Sequence, residues 1–388
     1  MITDLDRACA RLGRRCTHGI HFNGLTLPQS PAIAQWRERD ALRVWKHVDG
    51  TPYGWAAVET ATARSTLTLW TGKEWSIPAG DLIVRAWFGE PAFWGAMFSD
   101  LLRQKQPGQI IWFRVFQETA GLADFLQRHG ARWVGGQVMA MSELLGWYCV
   151  PARERPIAAS EFRTLALLLQ EFWGSAQRAL VLAEVRAYIE NDGGWANHYS
   201  KYNIRDSWSG FTLQGYDRED PNFIIKPDEM SASWRREHRE YDKAICERTI
   251  IADRFPATWE GLRDLKCDFD RVRFLRVRAG DGALGRHADI TNRDAGSVEG
   301  KLARLHIPLT TSASCHFSAW NIFGARLEAH LPAGSLWYLD QRKPHAVSNI
   351  GGSERIHLVV DAKVTPALRA LIEGGTDAEV SVGTTSGS

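Results

Sequence analysis

Six short apolar runs constrain this chain most: Arg271–Arg278, Ala303–Leu309, Ala325–Leu331, Ser335–Leu339, His345–Ile350 and Ile356–Ala362. Strands this short, separated by Gly-containing turns, predict a β-sandwich or double-sheet jelly roll. The first 150 residues read differently, alternating strands with helices. Ala41–Val48, Gly54–Glu59, Ser65–Thr71 and Asp81–Phe88 have strand composition, and Pro91 sits where a helix opens, before Ala92–Gln104. Ile110–Val115 reads as a buried strand, Leu122–His129 as a helix stopped by Gly130, and Ala131–Val134 and Gln137–Ser142 as further strands.

Val150-Pro-Ala-Arg-Glu-Arg-Pro156 has the two prolines and mixed charge of a linker. Beyond it, Ser160–Glu171 and Gln177–Asn191 carry leucines at helical spacing, and Ser231–Arg248 reads as a charge-laced surface helix. Trp195–Tyr216 reads as loops and short strands. The Gly/Ser/Thr-rich end predicts a disordered tail over 374–388. A length of 388 residues fits two or three domains, here 1–150 and 157–365. The predicted class is therefore α+β, with an α/β domain followed by a jelly roll with flanking helices.

Hydrophobic content of 44% and charged content of 24% are ordinary for a globular protein, although 17 Trp is high and supplies large buried area. A net charge of +2 counts against nucleic acid as a partner without excluding it. No apolar stretch approaches a membrane span, and the start has no basic region followed by an apolar run. Cys9, Cys16, Cys149, Cys246, Cys267 and Cys315 form no CxxC pair, which predicts reduced thiols and a cytoplasmic location.

The chemistry concentrates near the end. His287 and Asp289 are two apart, so in a strand both point to one face. His345 follows the turn Asp340-Gln-Arg-Lys-Pro344, and Arg355 lies ten residues further on. Two imidazoles and a carboxylate cap one face of a metal and leave the other open, the arrangement that suits non-haem Fe(II). Arg355 adds a permanently charged fork for a carboxylate at the same site.

Residues from about 195 to 363 resemble the aspartyl/asparaginyl β-hydroxylase superfamily of Fe(II)- and 2-oxoglutarate-dependent oxygenases. The segments that carry the resemblance are Lys201-Tyr-Asn-Ile-Arg-Asp-Ser-Trp208, Arg286-His-Ala-Asp289, Arg304-Leu-His-Ile-Pro-Leu309, Pro344-His-Ala-Val-Ser-Asn-Ile350 and Arg355-Ile-His-Leu-Val-Val-Asp361. The resemblance implies a double-stranded β-helix and Fe(II), 2-oxoglutarate and O₂ as cofactors. It also implies His287, Asp289 and His345 as iron ligands and Arg355 as partner of the distal carboxylate of 2-oxoglutarate. Arg304 and His306 are implied near the chelating end of that co-substrate. His357 shares a strand face with Arg355, which suits a place behind the site and equally a structural role. Asp289 departs from the animal peptide hydroxylase, which lacks the carboxylate ligand, and agrees with the bacterial proline hydroxylases of the group.

Tyr202, Asn203, Arg205, Trp208 and Trp320 are candidates for the substrate mouth. Arg205 suits a carboxylate, and equally an ion pair with Asp206 or Asp217. The order of elements in residues 1–150 resembles a GCN5-related N-acetyltransferase fold, on the segment Leu122-Ala-Asp-Phe-Leu-Gln-Arg-His-Gly130-Ala-Arg-Trp-Val134. Its expected phosphate-cradling loop is replaced by Val84-Arg85-Ala-Trp87-Phe-Gly89-Glu-Pro91, with one glycine and an acidic Glu90. That predicts a domain without acetyl-CoA activity, recruited for substrate binding or for a homodimer. The leading expectation is a dioxygenase that hydroxylates an amino acid, free, peptidyl or carrier-bound. The alternatives are oxidation of a modified nucleobase or tRNA docked by the first domain, a bifunctional acyltransferase-oxygenase, and a sensor of 2-oxoglutarate.

Overall fold

A computed structural model describes residues 35–36, 38–68, 74–89, 91–116, 121–138, 144–151, 163–191, 193–289, 292–320 and 326–378. The chain forms two compact units that part between Ile157 and Ala158. The ends of the expected strands at 69–71 and 139–142, the linker after 151 and the tail from 379 lie outside the described residues.

In the first unit the strands are β1 (Leu42–Lys46), β2 (Pro52–Thr60), β3 (Thr66–Thr68), β4 (Glu74–Ser76), β5 (Leu82–Gly89), β6 (Ile111–Phe116), β7 (Arg132–Val138) and β8 (Leu144–Val150). Helix α1 (Trp94–Gln104) joins β5 to β6, and α2 (Leu122–Arg128) leads to β7. Six strands form one sheet in the order β1-β2-β5-β6-β8-β7, while β3 and β4 pair separately. Among the described residues β5 and β6 are the parallel pair, as a helical crossover allows. Asp81 ties them: its carboxylate accepts from Ile110 N–H at 3.0 Å and from Trp112 Nε1 at 2.9 Å. Pro91 opens a 3₁₀ turn over Pro91–Phe93 rather than the helix itself, which starts at Trp94. β8, which the apolar runs did not predict, enters the sheet between β6 and β7.

The second unit contains β9 (Leu165–Leu169), α3 (Ser175–Asn191), β10 (Ala196–Asn197), β11 (Asn203–Ile204), β12 (Trp208–Gly215), α4 (Ala232–Glu237), β13 (Glu247–Arg248) and α5 (Pro256–Leu262). There follow β14 (Phe269–Val277), β15 (Gly282–His287), β16 (Leu302–Thr310), β17 (Cys315–Trp320), β18 (Arg326–Ala329), β19 (Leu336–Leu339), β20 (His345–Asn349), β21 (Arg355–Lys363), α6 (Pro366–Gly374) and β22 (Thr376–Asp377). The major sheet runs β10-β12-β14-β21-β16-β19-β9-β22, with β13 on β12, and the minor sheet runs β11-β15-β20-β17-β18. The named strands of both pair antiparallel.

Period-two alternation sends one set of major-sheet side chains each way. Leu275, Val277, Leu339 and Val359 meet Leu284, Phe317 and Val347 of the minor sheet in the core between the sheets. Phe211, Phe274, Leu305, Ile307 and Leu358 face the opposite way and are covered by Val181, Val185 and Tyr188 of α3, Leu262 of α5 and Ile372 of α6. The result is a two-sheet sandwich of the jelly-roll kind with helices on the outer face of one sheet.

Two expectations are corrected. The helix expected over Ser160–Glu171 is, in its described part, strand β9: Leu165–Leu169 pairs with β19 on one side and β22 on the other. A run of leucines has helical propensity, and sheet pairing overrides it. The helix expected over Ser231–Arg248 reduces to α4, capped by Ser231 Oγ on Trp234 N–H at 3.2 Å, then a 3₁₀ turn Arg239–Tyr241 and β13. Within the predicted tail Thr376–Asp377 is a strand, and residues from 379 lie outside the described ones.

Candidate metal centre

β15 ends at His287, β20 begins at His345, and the two residues pair across the minor sheet with ring centroids 4.2 Å apart. Asp289 lies beyond the end of β15, so alternation along a strand does not bring it to the site. Its backbone N–H donates instead to Gln341 O at 2.8 Å, which pins the loop against the turn preceding His345. One donor atom from each of His287, Asp289 and His345 lies within 4.8 Å of the others.

The hydrogen bonds of the two rings fix their protons. His287 Nδ1 contacts Gly285 O at 2.9 Å, and His345 Nδ1 contacts Lys343 O at 3.0 Å. A carbonyl only accepts, so each Nδ1 carries a hydrogen, and Nε2 is the atom each ring has left for a metal. His287 Nε2 lies 3.8 Å from Asp289 Oδ1, and Arg304 Nη1 donates to Asp289 Oδ2. Two imidazole Nε2 atoms and one carboxylate oxygen with a supporting donor behind it form a donor set that fits Fe(II). Burial, then the neighbouring His287, pushes the His345 imidazole down to about 3, so it stays neutral. Burial raises the Asp289 carboxyl, but the Arg304 guanidinium, through its charge and its hydrogen bond, outweighs it and holds the group well below the usual carboxylate range.

The triad borders a cavity of about 110 Å³ between the sheets. Arg355 stands in its wall, 5% exposed, and Nη2 donates to His357 Nδ1 at 2.8 Å. Guanidinium only donates, so His357 is the Nε2–H tautomer and neutral, and burial followed by Arg355 keeps it so. Among the described residues no carboxylate pairs with Arg355. Burial lowers its guanidinium to about 10. His306 also faces the cavity, with neither ring nitrogen hydrogen-bonded.

A second charged group lies along the same sheet face. Asp361, 1% exposed, accepts from Arg271 Nε at 2.9 Å, Arg273 Nη2 at 3.2 Å and Arg304 Nε at 2.7 Å. Arg304, expected at the co-substrate, is thus engaged by two carboxylates of the protein. Arg271 reaches Glu229 as well, at 3.2 Å. Arg271, Arg273, Glu229, His198 and Tyr199, none of them expected at the site, also line the cavity. The alternation Arg271-x-Arg273 in a strand with apolar intervening residues was a usable signal. The others come from loops and short turns and had none.

Of the five residues expected at the mouth, Trp208 lines the cavity. It stacks on His198 with centroids 3.4 Å apart, and Tyr199 stacks on the same imidazole at 4.7 Å. Tyr202 lies outside the lining and stacks against His287 at 5.1 Å. Asn203 is a structural clamp whose side chain bonds Trp208 N, Trp208 O and His198 O. Arg205 is exposed and pairs with Asp281 at 2.8 Å, not with Asp206 or Asp217. Trp320 lies under the Arg286 guanidinium at 4.3 Å.

Residues 175–364 match the family profile described as Aspartyl/Asparaginyl beta-hydroxylase. Among solved structures, a Pseudomonas putida prolyl-4-hydroxylase is similar at 14% identity and a TM-score of 0.29, covering 53% of this chain and 95% of that one. A prolyl hydroxylase from Trichoplax adhaerens, in complex with a hypoxia inducible factor peptide fragment, has 14% identity and a TM-score of 0.31 over 54% and 87%. An oxidoreductase of the 2OG-Fe(II) oxygenase family from Burkholderia pseudomallei has 13% identity and a TM-score of 0.28 over 51% and 82%. Overlaps of this size decide neither fold nor chemistry, whereas the profile match and the His–Asp–His cluster fall on the same residues. The chain is an enzyme of the hydroxylase type: residues 175–364 match the aspartyl/asparaginyl β-hydroxylase family, and the His287, Asp289 and His345 donor set lies within that match.

Proposed function

We propose that the enzyme hydroxylates an amino acid, free, peptidyl or carrier-bound, and releases succinate and CO₂. In this reading His287 and His345 through Nε2, with Asp289 through Oδ1, hold Fe(II). The observation that carries it is the pair of Nδ1–carbonyl bonds, which leave Nε2 as the free atom of each ring in a cluster whose donor atoms lie within 4.8 Å of one another. Iron loaded with 2-oxoglutarate and O₂ supplies the oxidising power.

The chain's own residues do the rest. Arg355 takes the distal carboxylate of 2-oxoglutarate, and the His357 acceptor fixes its guanidinium in orientation. The low-dielectric surroundings strengthen that ion pair and exclude water from it. His306 stands beside the co-substrate with both nitrogens available. Arg304 is assigned to holding Asp289 rather than to the co-substrate.

For the first unit the acetyltransferase-like reading draws support from the parallel β5–β6 pair and from the late strand β8 inserted between β6 and β7. Acyl-CoA chemistry is not part of the proposal. The β5–β6 ladder stops at Val84 and Phe113, and aromatic packing by Trp87 and Phe98 on Phe113 occupies that region.

The test is succinate release from 2-oxoglutarate with Fe(II), alone and with pools of amino acids, peptides and nucleic acids, with Asp289→Ala as blank. Stimulation by amino acids or peptides is expected. Stimulation by nucleic acid alone moves the substrate to a nucleobase, and no release above the blank removes the oxygenase reading.

A further inference from the structure

The cavity holds more positive charge than iron and 2-oxoglutarate need. Four guanidiniums, Arg271, Arg273, Arg304 and Arg355, line it against three carboxylates, Glu229, Asp289 and Asp361, of which Asp361 bonds to the lining arginines from behind. One uncompensated positive charge is therefore present before any metal is bound. A divalent metal and a dianionic co-substrate cancel each other and leave that charge in place.

With Arg355 given to the co-substrate and Asp289 to the metal, that charge falls to Arg273. Arg271 has Asp361 and Glu229, and Arg304 has Asp361 and Asp289. Arg273 has a single bond to an already shared carboxylate, its Nε is buried with no partner, and its side chain is 4% exposed. Burial and the adjacent Arg271 lower its guanidinium to about 10. Arg273 lies opposite Val359, four residues along β21 from Arg355, so the two side chains leave the sheet roughly 13 Å apart and enter the cavity from different ends. Tyr199, at 44% exposure, marks the open side of the cavity at this end.

We infer that Arg273 is the residue that reads the substrate, through a carboxylate which the substrate brings into the cavity. The inference rests on the oxygenase reading above and narrows it: the substrate is an anion at this end of the pocket. Both an α-carboxylate and an aspartyl or glutamyl side chain meet that description.

The experiment measures succinate release by the full chain with Fe(II) and 2-oxoglutarate across three arms. The first holds free amino acids, the second their carboxamides, and the third N-acetyl carboxamides of aspartate and glutamate, which offer a side-chain carboxylate alone. Stimulation confined to the first or third arm is expected, with the uncharged counterpart weaker by at least about 30-fold in kcat/KM. The arm that responds identifies which carboxylate is read. Arg273→Gln should bring the acid down to the level of its amide, and Arg273→Lys should keep part of the preference. Arg355→Gln should instead raise the KM for 2-oxoglutarate and leave the acid-to-amide ratio unchanged. Equal response to acids and amides, no response to any carboxylate-bearing compound, or a KM for 2-oxoglutarate that rises in Arg273→Gln as in Arg355→Gln overturns the inference. Absence of succinate from the wild type in every arm, uncoupled release included, overturns the oxygenase reading instead.

Discussion

Arg304 and Asp361 face each other across β16 and β21 and are joined by two hydrogen bonds, Nε to Oδ1 at 2.7 Å and Nη2 to Oδ2 at 3.2 Å. The remaining arm of the guanidinium, Nη1, reaches Asp289. The position of the carboxylate in the triad is thereby set by a residue in the middle of the major sheet, although Asp289 itself sits in a loop. Asp361 also holds Arg271 and Arg273, so one buried oxygen pair organises three cations.

Replacing Asp361 by Asn keeps the shape and removes the charge, leaving three guanidiniums together. Breaking a buried pair of this kind costs about 3–5 kcal/mol. Equilibrium denaturation of the metal-free protein should show a loss of that size. A loss under about 1 kcal/mol, the scale of a surface pair, would mean that the cluster does not stabilise the fold.

Arg304→Gln tests the support of Asp289. Without Arg304 the Oδ2 atom has lost its donor, and disturbed ligand support costs about 10- to 100-fold in metal affinity. Titration with Mn(II) as a redox-stable probe measures it directly. Unchanged metal affinity together with a raised KM for 2-oxoglutarate would return Arg304 to the co-substrate role that its strand position beside His306 suggested.

For Arg355→Ala the expected change is in the KM for 2-oxoglutarate. Truncating one partner of a buried charge-assisted pair costs about 2–5 kcal/mol, or at least about 30-fold. His357→Leu should give a smaller rise, because it removes the acceptor that orients Arg355 and not the charge. An Arg355→Ala enzyme with unchanged KM would place the distal carboxylate elsewhere.

The contrast between what was legible in the sequence and what was not follows from range. His287, His345 and Arg355 sit at strand ends and beginnings, where local alternation and the preceding turn locate them. Strands β14, β16, β19, β20 and β21 were visible as apolar runs for the same reason. β9 was read as a helix because its leucines satisfy both periods and its partners, β19 and β22, lie far along the chain. Arg205 looked like a substrate residue by charge alone, and only the pairing of β11 with β15 brings Asp281 within its reach. The alternation Arg271-x-Arg273 was visible, but the unpartnered Nε of Arg273 was not, because charge compensation is a property of the assembled sheet.

The buried carboxylates also set the response to acid. Burial raises Asp361, but Arg304, Arg271 and Arg273 outweigh it and hold it well below the usual range, and Arg342 and Lys343 do the same for Asp340. A group whose folded pKa is depressed stabilises the fold fully above its unfolded value, about 4, and that stabilisation is lost as pH falls through the folded value. Stability of the metal-free protein should therefore be insensitive to these groups at neutral pH and fall steeply below about pH 4. Each such carboxylate adds up to one proton to the slope, about 1.4 kcal/mol per pH unit. Denaturation midpoints measured from about pH 5 down to about pH 3 should fall less steeply in Asp361→Asn than in the wild type. Parallel slopes for the two proteins would mean that Asp361 titrates alike in the folded and unfolded chain, which contradicts its burial among three guanidiniums.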